Sequence, residues 1–338
     1  MIKVGVVGIG YWGPNIVRNL VSNKQTDVLY CSDLRAERLE YVRSLYPKIK
    51  TTTDYKDIIK DPAVDAVAIC TPVFTHFEIA KAAMLAGKHV LIEKPMTSTT
   101  AEAEELINLA EQKNLKIMVD HTFLFTGAVI KIKELITAGE VGDLYYFDSV
   151  RVNLGLFQHD VNVIWDLAPH DISIMDFVID HHAEAVVATG ADHVGNGMED
   201  VAYLTVYYPN NIIAHIHVNW LSPVKIRQTL IGGTKKMIVW DDNDPSEKIK
   251  IYDKGIEVIQ TADQVYNTLI QYRTGDMYSP KVPQTEALAL EVGHFADCIE
   301  NDTQPISDGI LGYHVVQILE ASEQSIKNRG KEIRLKKA

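Results

Sequence analysis

The chain opens on an unbroken apolar run, Val4 to Ile9, which reads as a strand buried on both faces. A glycine-spaced turn follows, Gly8-Ile9-Gly10-Tyr11-Trp12-Gly13, and Pro14 to Leu20 predicts the helix after it. A second strand, Asp27 to Ser32, runs into Asp33. Next come a helix from Ala36 to Ser44, a weak strand near Ile49–Thr51, a short helix over Tyr55–Ile59 and a strand from Val64 to Cys70. Thr75-His76-Phe77-Glu78 and Thr99-Thr100-Ala101-Glu102 both read as capping boxes that open helices. The first helix is expected to stop at Gly87 and the second near Lys113. His89–Ile92 and Leu115–Val119 are further strands. Strand and helix alternate through residues 1–121, which predicts a doubly wound parallel sheet with right-handed crossovers, a Rossmann-type α/β domain.

The texture then changes. A helix over Ala128–Ala138 leads into strands at Tyr145–Asn153, Ala185–Gly190, Val201–Tyr208, Ile212–Trp220, Thr229–Gly232 and Met237–Trp240. Strands that follow one another without helices predict an antiparallel sheet. Helices over Glu286–Glu300 and Gly309–Asn328 finish the chain, so residues 122–338 are expected to form a second, α+β domain. The alternation in Ile212-Ile213-Ala214-His215-Ile216-His217-Val218 leaves apolar residues on both sheet faces. That predicts a homodimer or homotetramer built through the sheet.

Composition adds exclusions. The 338 residues suffice for two cores. A net charge of −12 argues against a nucleic-acid partner, which needs a basic face. Cys31, Cys70 and Cys298 are scattered and odd in number, which reads as reduced, structural thiols in a cytoplasmic protein. No apolar run reaches the ~18 residues of a membrane span, and the N-terminus reads as a strand of the fold, not as a signal peptide.

The chemistry begins at the first turn. Gly8 permits the tight bend, Gly10 lets backbone approach a pyrophosphate, and Gly13 lets the helix sit close on the strand. Amides at the helix N-terminus face the phosphates. Asp33, twenty residues after Gly13, is placed to accept from ribose hydroxyls and to repel a 2′-phosphate, which favours NAD. Arg35 and Arg38 soften that repulsion. Lys94 follows a buried strand at its carboxyl end, where open α/β sheets bind ligands; a surface lysine at a strand end fits the same pattern. Asp166 and His170 are four apart and share a helix face, so a carboxylate can orient an imidazole that accepts a proton. A helix cap followed by a satisfied core histidine fits as well. His121 ends the last strand of the first domain, near the expected nicotinamide. His215 and His217 share a strand face but lack a convincing third ligand, so no metal is expected.

The ordered set Gly8-x-Gly10-x-x-Gly13, Asp33, Thr71-Pro72, His76, Ala86-Gly87-Lys88-His89-Val90, Glu93-Lys94-Pro95 and Asp166-x-x-x-His170 resembles the Gfo/Idh/MocA oxidoreductase family over nearly the whole chain. The resemblance implies a second domain with a large open, mostly antiparallel sheet. It implies Lys94 at the reacting hydroxyl and nicotinamide ribose, His170 as acid/base, and Asp166 in the accompanying acidic place. Tyr11, Trp12, Thr71, Pro72, His76, Glu93 and His121 join the glycines and Asp33 around the cofactor. The family often has D-x-G-x-H-x-x-D; here Ala168 and Ser173 replace its glycine and last acid. Gly10-Tyr11-Trp12-Gly13-Pro14-Asn15, Arg151–Gly155, Trp165–Asp171 and Trp220–Arg227 are similar to a branch of UDP-N-acetylglucosamine 3-dehydrogenases and their uronate relatives. That implies oxidation of C3 of a UDP-N-acetylhexosamine to a 3-keto sugar. Arg151, Asn153, Lys225 and Arg227 are the expected substrate contacts, the cations pairing with a diphosphate or being strand-surface charge. Two other activities use the same motifs: an NAD-dependent glycosidase with transient C3 oxidation, and a polyol dehydrogenase of the inositol type.

Overall fold

A computed structural model describes residues 1–155, 161–259 and 269–336. In chain order the elements are β1 (Ile2–Val7), α1 (Gly13–Ser22), β2 (Thr26–Ser32), α2 (Ala36–Leu45), β3 (Lys50–Thr52), α3 (Lys56–Lys60), β4 (Ala66–Ile69), α4 (His76–Leu85), β5 (His89–Glu93), α5 (Thr100–Lys113) and β6 (Ile117–Asp120). There follow α6 (Gly127–Thr137), β7 (Leu144–Leu154), α7 (Val163–Val178), β8 (Ala185–Ala191), β9 (Val201–Tyr207), β10 (Ile213–Asn219), β11 (Leu221–Gly233), β12 (Met237–Asp241) and β13 (Ile249–Tyr252). The chain closes with β14 (Gly255–Ile259), β15 (Leu269–Arg273), β16 (Met277–Tyr278), α8 (Ala287–Glu300), α9 (Gly309–Lys327) and β17 (Ile333–Arg334).

Two compact units result. The first holds residues 1–126 and 285–320. Its six-stranded sheet runs β3-β2-β1-β4-β5-β6, all parallel. Val4, Val6, Val67 and Ile69 are fully buried, because helices cover both faces and leave no solvated side for polar alternation. The α5 start is the expected capping box: Thr99 Oγ1 accepts from the Glu102 amide at 3.2 Å and Glu102 Oε2 accepts from the Thr99 amide at 3.1 Å. The α4 start is not. Thr75 sits in helical backbone after a single 3-10 turn, and its hydroxyl bonds Thr71 Oγ1 and the Pro72 carbonyl instead of the helix amides.

The return of residues 285–320 to this unit has a visible cause. The Val119 amide donates to the Ser307 carbonyl at 2.8 Å, and Met118 bridges antiparallel to Asp308, so this segment covers the β6 edge. At α8, Glu286 receives Arg18 at 2.5 Å and Asn19 at 3.2 Å from α1.

The second unit holds residues 127–284 and 321–338. Its sheet has nine strands in the order β16-β13-β12-β11-β7-β10-β9-β8-β17. Adjacent strands are antiparallel except β7 and β10, which are parallel. Ala214, Ile216 and Val218 of β10 point to the face where α7 packs and are fully buried. Ile213, His215 and His217 point to the other face, beside Tyr203 and Tyr207 of β9. Residues β13 to β17 were not expected from the pattern.

Candidate active site

In the first unit, the turn after β1 is shaped by its glycines. Gly8 has φ +94°, and a Cβ there would lie 2.6 Å from the Cys70 carbonyl oxygen. A Cβ on Gly13 would lie 2.2 Å from the Gly8 oxygen, so α1 packs directly on the turn. Over Gly10 the nearest atom to a Cβ is 3.9 Å away, which leaves its backbone open to a ligand. Trp12 begins α1 without a side-chain cap, and Pro14 occupies the first turn.

Asp33 lies one residue past β2 and is nearly buried. Its Oδ2 accepts from the Ile9 amide at 2.7 Å and its Oδ1 from the Arg35 amide at 2.9 Å. Burial pulls its pKa up, but the Arg35 and Ile9 hydrogen bonds outweigh it and hold the carboxyl below its usual range. Tyr11, Leu34 and Phe74 stand in solvent after β1, β2 and β4, at 86%, 88% and 66% exposure. Large apolar groups at the carboxyl edge of such a sheet suit the faces of a nucleotide base. Leu34 and Phe74 carried no sequence signal, since one apolar residue after a strand looks like any other.

His76, on α4, is 1% exposed; its Nδ1 faces the Pro95 carbonyl at 3.0 Å and its Nε2 the Thr71 carbonyl at 2.7 Å. It therefore ties the segment after β4, with Thr71 and Pro72, to the end of β5 at Glu93 and the Lys94-Pro95 segment after it. Burial lowers its pKa. Trp12 Nε1 donates to Asp120 Oδ2 at 2.5 Å, which joins the glycine turn to the end of β6. His121, next along, is 1% exposed, and neither ring nitrogen meets a hydrogen-bond partner among the described residues. Burial, reinforced by the Lys94 charge, holds its pKa down at about 3, so the ring is neutral. The open Gly10 backbone and this orphaned imidazole both fit a bound dinucleotide at the carboxyl edge of the sheet.

In the second unit, Asn162 caps α7, its Oδ1 accepting from the Ile164 and Trp165 amides at 3.1 and 3.2 Å. Asp166 and His170 lie one turn apart on this helix. Asp166 Oδ2 accepts from Trp220 Nε1 at 3.0 Å. Trp220 is buried and stands on Gly155, where a Cβ would lie 2.4 Å from the indole ring. The Arg151–Gly155 and Trp220–Arg227 motifs thus meet in one support for Asp166. Arg151 is 3% exposed and paired with Asp171, Nε to Oδ2 at 2.6 Å and Nη2 to Oδ1 at 3.1 Å; Ser149 Oγ donates to the same carboxylate at 2.7 Å. Arg227 lies directly across the β7–β11 ladder from Arg151, with Nη1 3.5 Å from Asp242 Oδ2. Burial, then the Arg151 charge, lowers its pKa. Asn153 and Lys225 lie where β11 shifts register against β7, and Lys225 is exposed. His217 stacks on Tyr203 with centroids 4.4 Å apart, and His215 Nδ1 is 3.8 Å from Asp148.

Among the described residues, no helix is long and apolar enough to cross a membrane.

Comparison with known proteins follows the same division. Residues 2–121 match the model of the oxidoreductase family with an NAD-binding Rossmann fold, and residues 129–239 match the GFO/IDH/MocA C-terminal domain. The chain is 27% identical over 330 residues to the UDP-N-acetylglucosamine 3-dehydrogenase of Acidithiobacillus ferrooxidans, covering 93% of this chain and 94% of that one. A solved structure of that enzyme superposes with a TM-score of 0.79 at 24% identity, over 97% of this chain and 98% of the other. The scyllo-inositol 2-dehydrogenase (NAD(+)) of Bacillus subtilis is 23% identical, covering 97% of this chain and 94% of its own. An oxidoreductase from Agrobacterium radiobacter, solved in complex with NAD+, L-tartaric acid and magnesium, superposes with a TM-score of 0.82 at 16% identity over 98% of each chain. With both family models matched along its length, the chain belongs to the Gfo/Idh/MocA family and is an NAD-binding oxidoreductase.

Proposed function

We propose that the protein is an NAD-dependent dehydrogenase that oxidises a sugar hydroxyl, C3 of a UDP-N-acetylhexosamine (UDP-N-acetylglucosamine or its uronate), to a 3-keto sugar. The observation that carries this reading is the similarity to a UDP-N-acetylglucosamine 3-dehydrogenase over 93% of the chain. Residues 1–121, joined by the returning segment 285–320, form the NAD module, and the rest of 122–338 supplies substrate binding and oligomerisation.

The Gly8–Gly13 turn, Tyr11, Trp12 and Asp33 hold the dinucleotide, with Thr71, Pro72, His76, Glu93 and His121 shaping the nicotinamide end. Bound NAD supplies the hydride acceptor. His170 takes the proton of the substrate hydroxyl, and Asp166, held by Trp220, stands one helical turn before it. Lys94 steadies the developing alkoxide with its positive charge. Arg151, Asn153, Lys225 and Arg227 meet the polar part of the substrate. Of these, Arg151 is already committed to Asp171, so Arg227 and the exposed Lys225 are the stronger diphosphate ligands. The protein works in the cytoplasm as a homodimer or homotetramer.

A polyol dehydrogenase is the second reading, favoured by the inositol enzyme's similarity over 97% of the chain. A glycosidase with transient C3 oxidation uses the same residues. One end-point assay separates the three. Incubation with NAD and UDP-N-acetylglucosamine or its uronate should accumulate 3-keto sugar and NADH in equal amounts. Cleaved sugar without net NADH indicates the glycosidase. NADH formed with scyllo- or myo-inositol but with neither UDP sugar indicates the polyol enzyme.

A further inference from the structure

Asp120, the last residue of β6, is 3% exposed and spends both oxygens on side chains. Trp12 Nε1 donates to Oδ2 at 2.5 Å, and the Thr122 hydroxyl donates to Oδ1. Glu291 is fully buried on α8, the helix that packs against the Thr122–Phe125 turn just after β6, and the Asp120 charge acts on it. Among the described residues, neither Glu291 oxygen has a hydrogen-bond partner. Thr122 lies beside it but gives its hydrogen to Asp120. Two carboxylates close enough to feel each other's charge in a dry site cannot both stay ionised. A proton on Glu291 cures both faults at once. Its hydroxyl then donates to Asp120, and Asp120 remains the charged acceptor that Trp12 requires.

We propose that Glu291 holds one proton for Asp120, and that this carboxyl pair positions Trp12 and with it the dinucleotide-binding turn Gly8–Gly13. Both are positioning residues: they act on the cofactor through Trp12. The inference rests on NAD binding alone and not on any choice of substrate. Its consequence is a pH dependence of cofactor affinity. When the shared proton leaves, two adjacent anions repel, α8 and the end of β6 are pushed apart, and Asp120 is drawn off the indole. Burial, and next the Asp120 charge, pushes the Glu291 carboxyl well above its usual range. Burial also raises Asp120. The other titratable groups facing the pair are Glu93 at the end of β5, Lys94 after it, Cys70 after β4, and His121. Lys94 favours charge on Asp120, His121 is already neutral, and the Cys70 thiol is pushed far up by burial.

The test is NAD affinity by calorimetry from about pH 6 to about pH 9 at fixed ionic strength, for the parent and Glu291→Gln. Glutamine still donates to Asp120 but has no proton to lose. The parent dissociation constant should rise with pH by up to about tenfold per unit once the proton leaves. The Glu291→Gln constant should stay level within about threefold, since Glu93, Lys94 and Cys70 remain in both proteins. Equal pH slopes in the two proteins overturn the proposal. Should Glu291→Gln not fold, infrared spectra of the parent alone decide. A protonated-carboxyl stretching band present at neutral pH, and lost over the pH range where NAD affinity falls, supports the pair. Its absence at neutral pH contradicts it.

Discussion

Arg35 lies along the carboxylate of Asp33, with Nε 3.1 Å from Oδ1 and Nη2 3.3 Å from Oδ2. The acid proposed to meet the adenosine ribose is therefore paired with a cation two residues on. Asp33 still carries its charge, so the protein should bind NAD at least about tenfold more tightly than NADP, a difference of about 1.4 kcal/mol. Asp33→Ala should erase most of that difference. Arg35→Ala should widen it, because the carboxylate then faces a 2′-phosphate unshielded. Calorimetry with both nucleotides checks all three, and tighter NADP binding by the parent contradicts the account.

Arg151 and Asp171 form an ion pair with side chains 3% and 2% exposed. Asp171→Ala leaves a buried guanidinium without its carboxylate and should destabilise the protein by about 3–5 kcal/mol. Replacing both residues with leucine should cost far less, since it removes both charges together. Urea denaturation of the single and double variants measures the contrast.

His121 sets an acid limit on stability. Its folded pKa of about 3 lies below the ordinary 6.5 of the unfolded chain. Between those values the unfolded state binds a proton that the folded state refuses, so stability falls as pH drops through that window. The loss should approach about 1.4 kcal/mol per pH unit below the upper limit. His121→Gln should flatten this slope. A parent whose stability is level from neutral pH down to about pH 4 would contradict a buried, neutral imidazole.

The outer face of the nine-stranded sheet carries Tyr203, Tyr207, Ile213 and Ile226, each about two-fifths exposed. Light scattering at micromolar concentration should find a dimer or tetramer, and Ile213→Glu with Tyr203→Glu should shift it toward monomer. A monomeric parent removes the oligomer from the account.

The sequence showed most of the dinucleotide unit because its signals are local. A glycine turn after an apolar strand needs no distant partner to be recognised, and Thr99 and Glu102 cap α5 within one turn. Thr75 had the same local pattern, yet its hydroxyl is taken by Thr71 and Pro72, contacts that spacing alone does not reveal. The weaker readings were tertiary. Ser307 and Asp308 cover the β6 edge from nearly two hundred residues away. The parallel pairing of β7 and β10 hides inside a run of successive strands. At the site, the Asp166–His170 spacing was legible, but the support of Asp166 by Trp220, seated on Gly155, joins three separate segments. Glu291 had no signal at all, being one acid in an ordinary amphipathic helix.

The central claim is that His170 and Lys94 act on the substrate hydroxyl while the Gly8–Gly13 turn and Asp33 hold the nucleotide. Single-turnover formation of NADH from saturating NAD and UDP-N-acetylglucosamine tests it most directly, run on the parent, His170→Asn and Lys94→Met. Both variants should fold and bind NAD within about threefold of the parent, and form NADH about 10²–10⁴ times more slowly. His170→Asn forming NADH within a few-fold of the parent rate would contradict the assignment, and His121 would become the residue to examine as the base.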